Sequence, residues 1–310
     1  MKVKVPPIKC QGIKTKLVPI IKNIIEWDSN EGKWIEPFVG SGVVGFNVLP
    51  KRAVFGDNNP HLINFYNAIK TGKITPKIAR AFLIENGNQL SNKGSDFYYL
   101  VRERFNDEGD PLDFLFLNRS CFNGMIRFNK DGKFNVPFGH KPNRFAPAYV
   151  TKIVNQITYV HNALQMNEWE FICQDFDETI KQAGEKDFIY CDPPYIGRHV
   201  DYYNSWDDKH EIKLYKFLSD TPAKFILSTW HSNQHRMNPY IASHWSDFYT
   251  ITKEHFYHIG ASEKNRKPML EALVTNYKPQ ILVNKSTLAQ LRLFECKEHY
   301  SVTMSSGRLS

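Results

Sequence analysis

The stretch KWIEPFVGSGVVG, from Lys33 to Gly45, decides the fold of this chain. It predicts a short buried strand, a glycine loop and the start of a helix. Glycine lets the backbone approach a ligand closely, and the first amides of a helix point into the same space. Beyond it, the apolar run from Ala53 to Gly56 predicts a second strand, and Asp57 at its end can accept hydrogen bonds from ribose hydroxyls. The pattern predicts a nucleoside-binding edge of an α/β sheet.

A second stretch, FIYCDPPY from Phe188 to Tyr195, predicts another buried strand that ends in an acid, two prolines and an aromatic ring. The prolines fix the backbone and have no N–H, so the carbonyl groups of this loop are free to accept hydrogen bonds. Open α/β sheets bind ligands at the carboxyl ends of their strands. Asp192 and Tyr195 are therefore predicted to form a site that holds a flat amine.

Each of these two stretches, taken alone, has an alternative interpretation. An Asp-Pro-Pro triplet is equally consistent with a tight exposed turn. The spacing Gly40-x-Gly42-x-x-Gly45 also matches the dinucleotide fingerprint, a pattern with many false matches, so an NAD-dependent oxidoreductase stays open. We identify no separate set of residues for hydride transfer, and the Asp-Pro-Pro-Tyr loop favours an amine-bearing substrate instead.

Length and composition set wider bounds. The 310 residues suffice for one large domain with an insert, and the formal net charge of +8 is consistent with a polyanionic partner without being diagnostic. The five cysteines lack the spacing of a zinc site or a disulfide framework, so we expect no metal and a reducing, cytoplasmic location. We expect neither export nor membrane insertion, because no apolar signal region or membrane-length segment is present.

Six apolar runs predict strands, with helices or loops between them. They lie at residues 33–36, 53–56, 169–173, 187–191, 224–229 and 271–276. This order predicts the α/β class with a mostly parallel sheet. The gap between the second and third runs is too long for one crossover connection. We therefore predict a core of residues 1–66 and 160–279, an insert at 67–159 and a tail at 280–310.

The predicted insert begins with helices and ends in a hairpin. Residues 74–105 have helical spacing, and a helix is expected to continue through 111–118. The dipeptide Asp131-Gly132 between Phe128 and Phe134 is a strong signal for a turn between two strands. Basic residues flank this hairpin, which gives it the charge of a nucleic-acid-binding ribbon.

With both loops in place, the chain resembles the amino-methyltransferases that use S-adenosylmethionine. The stretch from Leu117 to Gly139 is similar to the DNA-reading hairpin of the Dam-like, alpha-group family of DNA adenine-N6 methyltransferases. The resemblance runs from Pro7 to about Tyr277. Its long shared stretches include PPIKCQGIKTKLVP at residues 6–19, DPPYIGRHVDYYNSW at residues 192–206 and KEHFYHIGASEKNR at residues 253–266. It implies a Rossmann-like S-adenosylmethionine-dependent core with an inserted helical and β-hairpin target-recognition domain, acting on an adenine that is rotated out of double-stranded DNA.

The resemblance also implies roles for individual residues. The catalytic loop would be Asp192, Pro193, Pro194 and Tyr195. The cofactor site would contain Lys14, Glu36, Phe38, Gly40, Ser41, Gly42, Asp57, Asn58, Asp175 and Phe176. DNA would contact Lys9, Arg119, Phe122, Asn123, Met125, Arg127, Asn129, Asn135, Pro137 and Arg144.

Some of these roles have structural alternatives. Without the family, Asp175 and Phe176 after a strand are more often a turn with a core aromatic, and Lys9 and Lys14 are more often solvated lysines. The Dam relatives carry a Trp-Ala pair where this chain has Cys10 and Gln11, so the ring contact to the cofactor is not carried over.

Further expectations concern the target and the partners. The resemblance implies the modification enzyme of a type II restriction system that methylates adenine in GATATC, as a monomer or weak dimer. The cognate endonuclease would act on the same site without a required complex. A GATC-specific Dam-type enzyme and a catalytically inactive DNA-binding relative are the alternatives. A cytosine-C5 enzyme is excluded because the chain has no Pro-Cys nucleophile.

Overall fold

The structure is a computed structural model that describes residues 2–196, 206–234, 236–256, 268–280 and 291–294. The chain forms two compact units. The first comprises Met1–Ile226 and Gln280–Leu282, and the second comprises Leu227–Pro279 and Val283–Ser310. Among the described residues, no helix is both long and apolar enough to cross a membrane.

The strands of the first unit are β1 (Trp34–Glu36), β2 (Arg52–Asp57), β3 (Glu168–Cys173) and β4 (Phe188–Cys191), in the order β3-β2-β1-β4. All three pairings between them are parallel. Because parallel strands end at the same edge of a sheet, the loops after all four strands meet there. Trp34 on β1 is fully buried and stacks on Phe188 of β4, with ring centroids 5.5 Å apart.

The second unit contains most of β5 (Lys224–Ser232), followed by β6 (Tyr249–Phe256), β7 (Pro268–Thr275) and β8 (Leu291–Phe294). These strands are ordered β5-β7-β6-β8, and β6 pairs antiparallel with both β7 and β8. All six strands predicted from the sequence are therefore present, and the α/β class is confirmed. The prediction missed β6 and β8, and the tail predicted at 280–310 contains β8.

Helices connect the strands of the first unit and fill most of the predicted insert. Three helices begin before the predicted insert: α1 (Val18–Ile24), α2 (Gly45–Val48) and α3 (Pro60–Lys70). Four begin within it: α4 (Pro76–Lys93), α5 (Ser95–Glu108), α6 (Pro111–Ser120) and α7 (Pro147–Met166). Two follow it in the first unit: α8 (Phe176–Ile180) and α9 (Asp208–Asp220). The second unit adds α10 (Pro239–Ser243). The helices predicted at residues 74–105 and 111–118 are confirmed as α4, α5 and α6.

The predicted hairpin is less regular than two continuous strands. Its backbone forms isolated antiparallel bridges between Phe128 and Phe134 and between Cys121 and Phe138. The turn at Asp131-Gly132 is present, and Gly132 adopts a φ of 71°, which glycine accepts without strain. The prediction of an antiparallel ribbon is confirmed, but the strands on either side of the turn do not extend beyond single bridges.

Side chains of α5 hold the hairpin in place. The side-chain amide of Asn106 donates to the carbonyl of Phe134 at 3.2 Å and its oxygen accepts from the amide of Phe134 at 2.7 Å, as a neighbouring strand would. Tyr98 donates its hydroxyl to the carbonyl of Val136 at 2.7 Å. The ribbon therefore takes its position from a helix rather than from a sheet.

Asn106→Ala should destabilise the fold, because it leaves the amide and carbonyl of a buried residue without partners. Unsatisfied buried groups of this kind cost about 1–3 kcal/mol each. Urea denaturation should show a lower free energy of unfolding for the variant than for the wild type. Asn92→Ala is the matched control, since Asn92 is an exposed asparagine on α4. Equal unfolding free energies for the two variants would show that Asn106 does not anchor the hairpin.

Candidate functional site

The glycine loop is fixed at its base by one carboxyl group. Oε2 of Glu36 accepts from Nε1 of Trp34 at 2.8 Å and from the amide of Gly45 at 3.1 Å. The side chain of Glu36 is almost completely buried, and this burial, reinforced by the charge of Asp192, raises its pKa to about 8. Hydrogen bonds from Trp34 and Gly45 oppose the shift. At neutral pH the Glu36 carboxyl is therefore mostly protonated.

Asp57 holds the other side of the same loop. Its Oδ2 accepts from the amide of Gly40 at 3.0 Å, and its Oδ1 accepts from the amide of Asn59 at 3.0 Å. Gly40 has a φ of 47° and Gly42 a φ of 70°, so the loop uses the left-handed region that favours glycine. The acid that was predicted to bind a ribose thus also shapes the loop, a role that the sequence did not indicate.

A cavity of about 320 Å³ lies at the carboxyl edge of the first unit's sheet. Its lining residues come from the ends of β1, β2, β3 and β4 and from the start of α9: Pro37, Phe38, Asp57, Asn58, Asp175, Phe176, Pro194, Trp206 and His210. Five of the predicted cofactor residues and one predicted catalytic proline therefore share one cavity wall.

Three aromatic rings form one side of this cavity. Phe38 stacks on Phe176 with centroids 5.3 Å apart, and Trp206 lies 5.5 Å from Phe38 and 5.4 Å from Phe176. Nε1 of Trp206 donates to the buried carboxylate of Glu211 at 2.8 Å, which fixes the indole. Trp206 and His210 were not predicted as site residues, although Trp206 ends the stretch DPPYIGRHVDYYNSW that was matched to the family.

Asp175 has two structural roles beside its place at the cavity. Its Oδ1 accepts from the amide of Phe176 and caps α8, and its Oδ2 pairs with Nζ of Lys213 at 3.2 Å. Lys213 also lies 5.1 Å above the ring of Phe176. The turn with a buried aromatic, which was the structural alternative for Asp175 and Phe176, is therefore present. The contact of Asp175 with the cofactor stays a prediction.

A second, smaller cavity of about 60 Å³ contains the predicted catalytic acid. Its wall includes Glu36, Gly40, Ser41, Lys14 and Asp192. Nζ of Lys14 lies 2.8 Å from Oδ1 of Asp192. The segment from Glu36 to Ser41 contributes to both cavities, so the predicted cofactor and catalytic residues lie around one stretch of backbone.

The remaining residues of the two loops lie close by. Pro193 and Tyr195 are buried directly after β4, and the ring of Tyr195 lies 4.9 Å below Nζ of Lys14. Gly42 lines neither cavity; it turns the chain toward α2, where a Cβ would approach the ring of Phe46 to 2.6 Å. Cys10 and Gln11, where the sequence was expected to depart from the family pattern, line the smaller cavity.

The start of the hairpin, beside the bridge between Cys121 and Phe138, exposes the residues predicted to enter DNA. Phe122 is 47% exposed, an unusual surface position for an aromatic ring. Asn123 is exposed with a φ of 55°. Asn118, which was not predicted as a site residue, bonds the amide and the carbonyl of Lys9 at 2.9 Å each and so joins Lys9 to the base of the hairpin.

Several predicted DNA-binding residues also bond within the hairpin. Nε of exposed Arg127 donates to Oδ1 of Asn135 at 2.7 Å, which holds the guanidinium against the opposite side of the ribbon. Oδ1 of Asn129 accepts from the amides of Asp131 and Lys133 and stabilises the turn. Met125 is half-buried and Pro137 is exposed on the ribbon. Their predicted contacts to DNA stay predictions.

Arg119 and Arg144 belong to a cluster of cations beneath the hairpin. Arg119 is only 4% exposed and donates to Oε1 of Gln156 at 2.6 Å, and Arg144 donates to the hydroxyl of Tyr149 at 2.7 Å. Burial lowers the pKa of Arg119 and of Lys9. Burial alone would raise the pKa of Tyr149, but the charges of Arg119, Lys9 and Arg144 and a hydrogen bond from Arg119 lower it. Tyr149 and Gln156 were not predicted.

Two of the stretches that were matched to the family extend outside the described residues. These parts are residues 197–205, after the Asp-Pro-Pro-Tyr loop, and 257–266, between β6 and β7.

Comparison with known proteins gives a consistent assignment. A model of the D12 class N6 adenine-specific DNA methyltransferases matches residues 11–259. The type II methyltransferase M.MjaIII of Methanocaldococcus jannaschii is 32% identical over 74% of this chain and 84% of its own length. DNA adenine methylases of Vibrio cholerae and Haemophilus influenzae are 37% and 33% identical, over 55% and 63% of their own lengths. The family match covers the glycine loop, the hairpin and the Asp-Pro-Pro-Tyr loop together, and the chain belongs to the D12 class of N6 adenine-specific DNA methyltransferases.

Proposed function

We propose that this enzyme transfers the methyl group of S-adenosylmethionine to N6 of an adenine that is rotated out of duplex DNA. The observation that carries the proposal is the meeting of two residue sets at one sheet edge. The cofactor candidates Phe38, Asp57 and Phe176 line the larger cavity, and Asp192 faces the adjoining smaller one. A transfer reaction requires donor and acceptor sites that adjoin in this way.

The Asp-Pro-Pro-Tyr loop has the groups that the amine of adenine requires. That amine is a poor nucleophile because its lone pair is delocalised into the ring. The carboxylate of Asp192 and the carbonyl of Pro193 accept its two N–H bonds and favour a pyramidal nitrogen whose lone pair points at the methyl donor. Tyr195 stacks on the base. Both prolines keep the loop rigid, so these acceptors are in place before the substrate arrives.

The larger cavity fits S-adenosylmethionine by its chemistry. The rings of Phe38, Phe176 and Trp206 offer apolar faces to an adenine, and Asp57 lies where it can accept from ribose hydroxyls. Gly40 brings backbone close to the methionine portion without a side chain in the way. When bound, the cofactor supplies an electrophilic methyl group on sulfonium sulfur.

The hairpin supports access to a base inside a duplex. Rotation of the base out of the stack costs a few kcal/mol. Exposed Phe122 can enter the gap that the base leaves, and Asn123 beside it can face the orphaned thymine. Arg127 can read a guanine edge, and Asn129, Asn135 and Arg144 can hold phosphates.

We further propose that the target is the first adenine of GATATC, within a type II restriction–modification system. Support comes from the long stretches of Pro6 to Pro19, Asp192 to Trp206 and Lys253 to Arg266, which resemble the EcoRV modification methyltransferase. Relatives named type II methyltransferases are consistent with this context. Lys9 and the hairpin would read the GAT half, and the central TA step would contribute through its flexibility.

Asp192→Ala should lower turnover by at least about a hundredfold, because it removes an acceptor that is needed mainly as the amine becomes pyramidal. Cofactor affinity, measured by calorimetry, should change little. Asp57→Ala should do the reverse and weaken cofactor binding first. Asp220→Ala, an exposed change at the end of α9, is the control. Near-normal turnover of the Asp192 variant at saturating cofactor, in a folded protein, would disprove the catalytic role.

Arg127→Ala should relax discrimination at a single base pair and cost about 1–3 kcal/mol of binding to the cognate site. A competition assay with single-base variants of the site measures this. Lys130→Ala, an exposed change in the same ribbon, should weaken binding equally for all sequences and reduce its salt dependence. If Arg127→Ala behaves like Lys130→Ala, Arg127 contacts the backbone instead.

The target is tested by base-resolved mapping of N6-methyladenine in plasmid DNA from a host that expresses the chain. We expect methylation at GATATC and protection of those sites from cleavage. Methylation at every GATC would refute the longer site and retain the GAT start. Methylation of cytosine, or of adenines outside GAT, would refute both, and no methylation with intact DNA binding would favour the inactive relative.

A further inference from the structure

Lys14 contacts the two groups that the proposed chemistry reserves for adenine. Its Nζ lies 2.8 Å from Oδ1 of Asp192, the acceptor of the target amine, and 4.9 Å from the centroid of Tyr195, the ring on which the base would stack. It also donates to the carbonyl of Gly12 at 2.8 Å. An ammonium group in this position makes the contacts of a bound amine.

The Lys14 ammonium cannot leave without another acceptor. Its side chain is 6% exposed, and that of Asp192 is 22% exposed, so the pair is largely removed from water. Separating a buried pair is costly unless each charge finds a new partner. For Asp192 that partner would be the amine of adenine. For Lys14 it would be an anion in the same cavity, whose wall includes Gly40 and Ser41 of the cofactor loop.

We propose that Lys14 competes with the target adenine for Asp192 and Tyr195 in the free enzyme, and that the carboxylate of the bound cofactor draws it away. This rests on the proposed function. The consequence is positive coupling: the cofactor favours entry of the base, and the base favours retention of the cofactor by the same factor. Lys14 is then a positioning residue that makes base entry depend on a loaded cofactor site.

The test compares two duplexes of the mapped target sequence, one with adenine and one with an abasic site at that position. The ratio of their dissociation constants, abasic over adenine, reports how much the base contributes to binding. The cost of unpairing is the same for every enzyme form, so it cancels when ratios are compared. S-adenosylhomocysteine carries the carboxylate, and methylthioadenosine is the matched ligand without it.

In the wild-type enzyme, S-adenosylhomocysteine should raise the ratio about tenfold and methylthioadenosine should leave it unchanged, which corresponds to a typical coupling between two sites. In Lys14→Met the ratio should already be high without ligand and should rise no further. Lys16→Met removes a charge from an exposed lysine two residues away and should behave like wild type. If Lys14→Met unfolds, Lys14→Gln, which retains a donor for Gly12, gives the same comparison.

The outcomes separate this inference from the proposed function. A ratio that is unaffected by S-adenosylhomocysteine and lowered or unchanged in the Lys14 variants, in an enzyme that methylates DNA, would refute the competition and leave the methyltransferase assignment intact. If the ratio of dissociation constants is lower in the Lys14 variants than in the wild type, Lys14 only supports Asp192. A wild-type protein that binds S-adenosylhomocysteine but methylates no DNA would instead contradict the proposed function.

Discussion

The hydrogen bonds from Trp34 and Gly45 to a single oxygen of Glu36 set the geometry on which both cavities depend. They join the end of β1 to the start of α2 and close the loop between them. Gly45 has no room for a side chain, because a Cβ there would lie 2.5 Å from Oε2 of Glu36 and 2.4 Å from Phe55. Residues of this loop then line both cavities, so its shape determines how far the residues proposed to bind the cofactor lie from Asp192.

The same carboxyl group affects the charge of the active site. Burial and the nearby charge of Asp192 hold the pKa of Glu36 near 8, so at neutral pH Glu36 is mostly neutral while Asp192 is paired with Lys14. Two adjacent carboxylates facing one lysine would leave an excess negative charge in a largely dry site, which is costly. A protonated Glu36 leaves one compensated pair, and the negative charge stays on Asp192, the proposed acceptor of the target amine.

The sequence predicted the elements that follow short-range rules. Strand runs, the helices of the insert and the Asp-Gly turn depend on local periodicity and turn chemistry, and all are present. It missed β6, since Tyr249 to Phe256 has a single aliphatic residue, Ile251, followed by the polar run Thr252 to His255, and so has no continuous apolar run. Contacts distant in sequence were also missed: Asn106 with Phe134, Arg119 with Gln156 and Trp206 with Phe38. Such pairs depend on packing that one sequence does not specify.

The cation cluster shows why residue type alone did not define the DNA-binding roles. Arg119 was predicted to contact DNA, yet it lies on α6, is buried, and its donors reach an amide and a phenol. Within the described part of the chain, no carboxylate forms an ion pair with Arg119 or Arg144. The cluster is therefore held together by neutral acceptors, and its positive charge is not cancelled. A field of this sign attracts anionic groups such as phosphates to the surface where Arg144 is partly exposed, and the backbone carbonyl of Arg119 holds Arg144 there by accepting from its Nε.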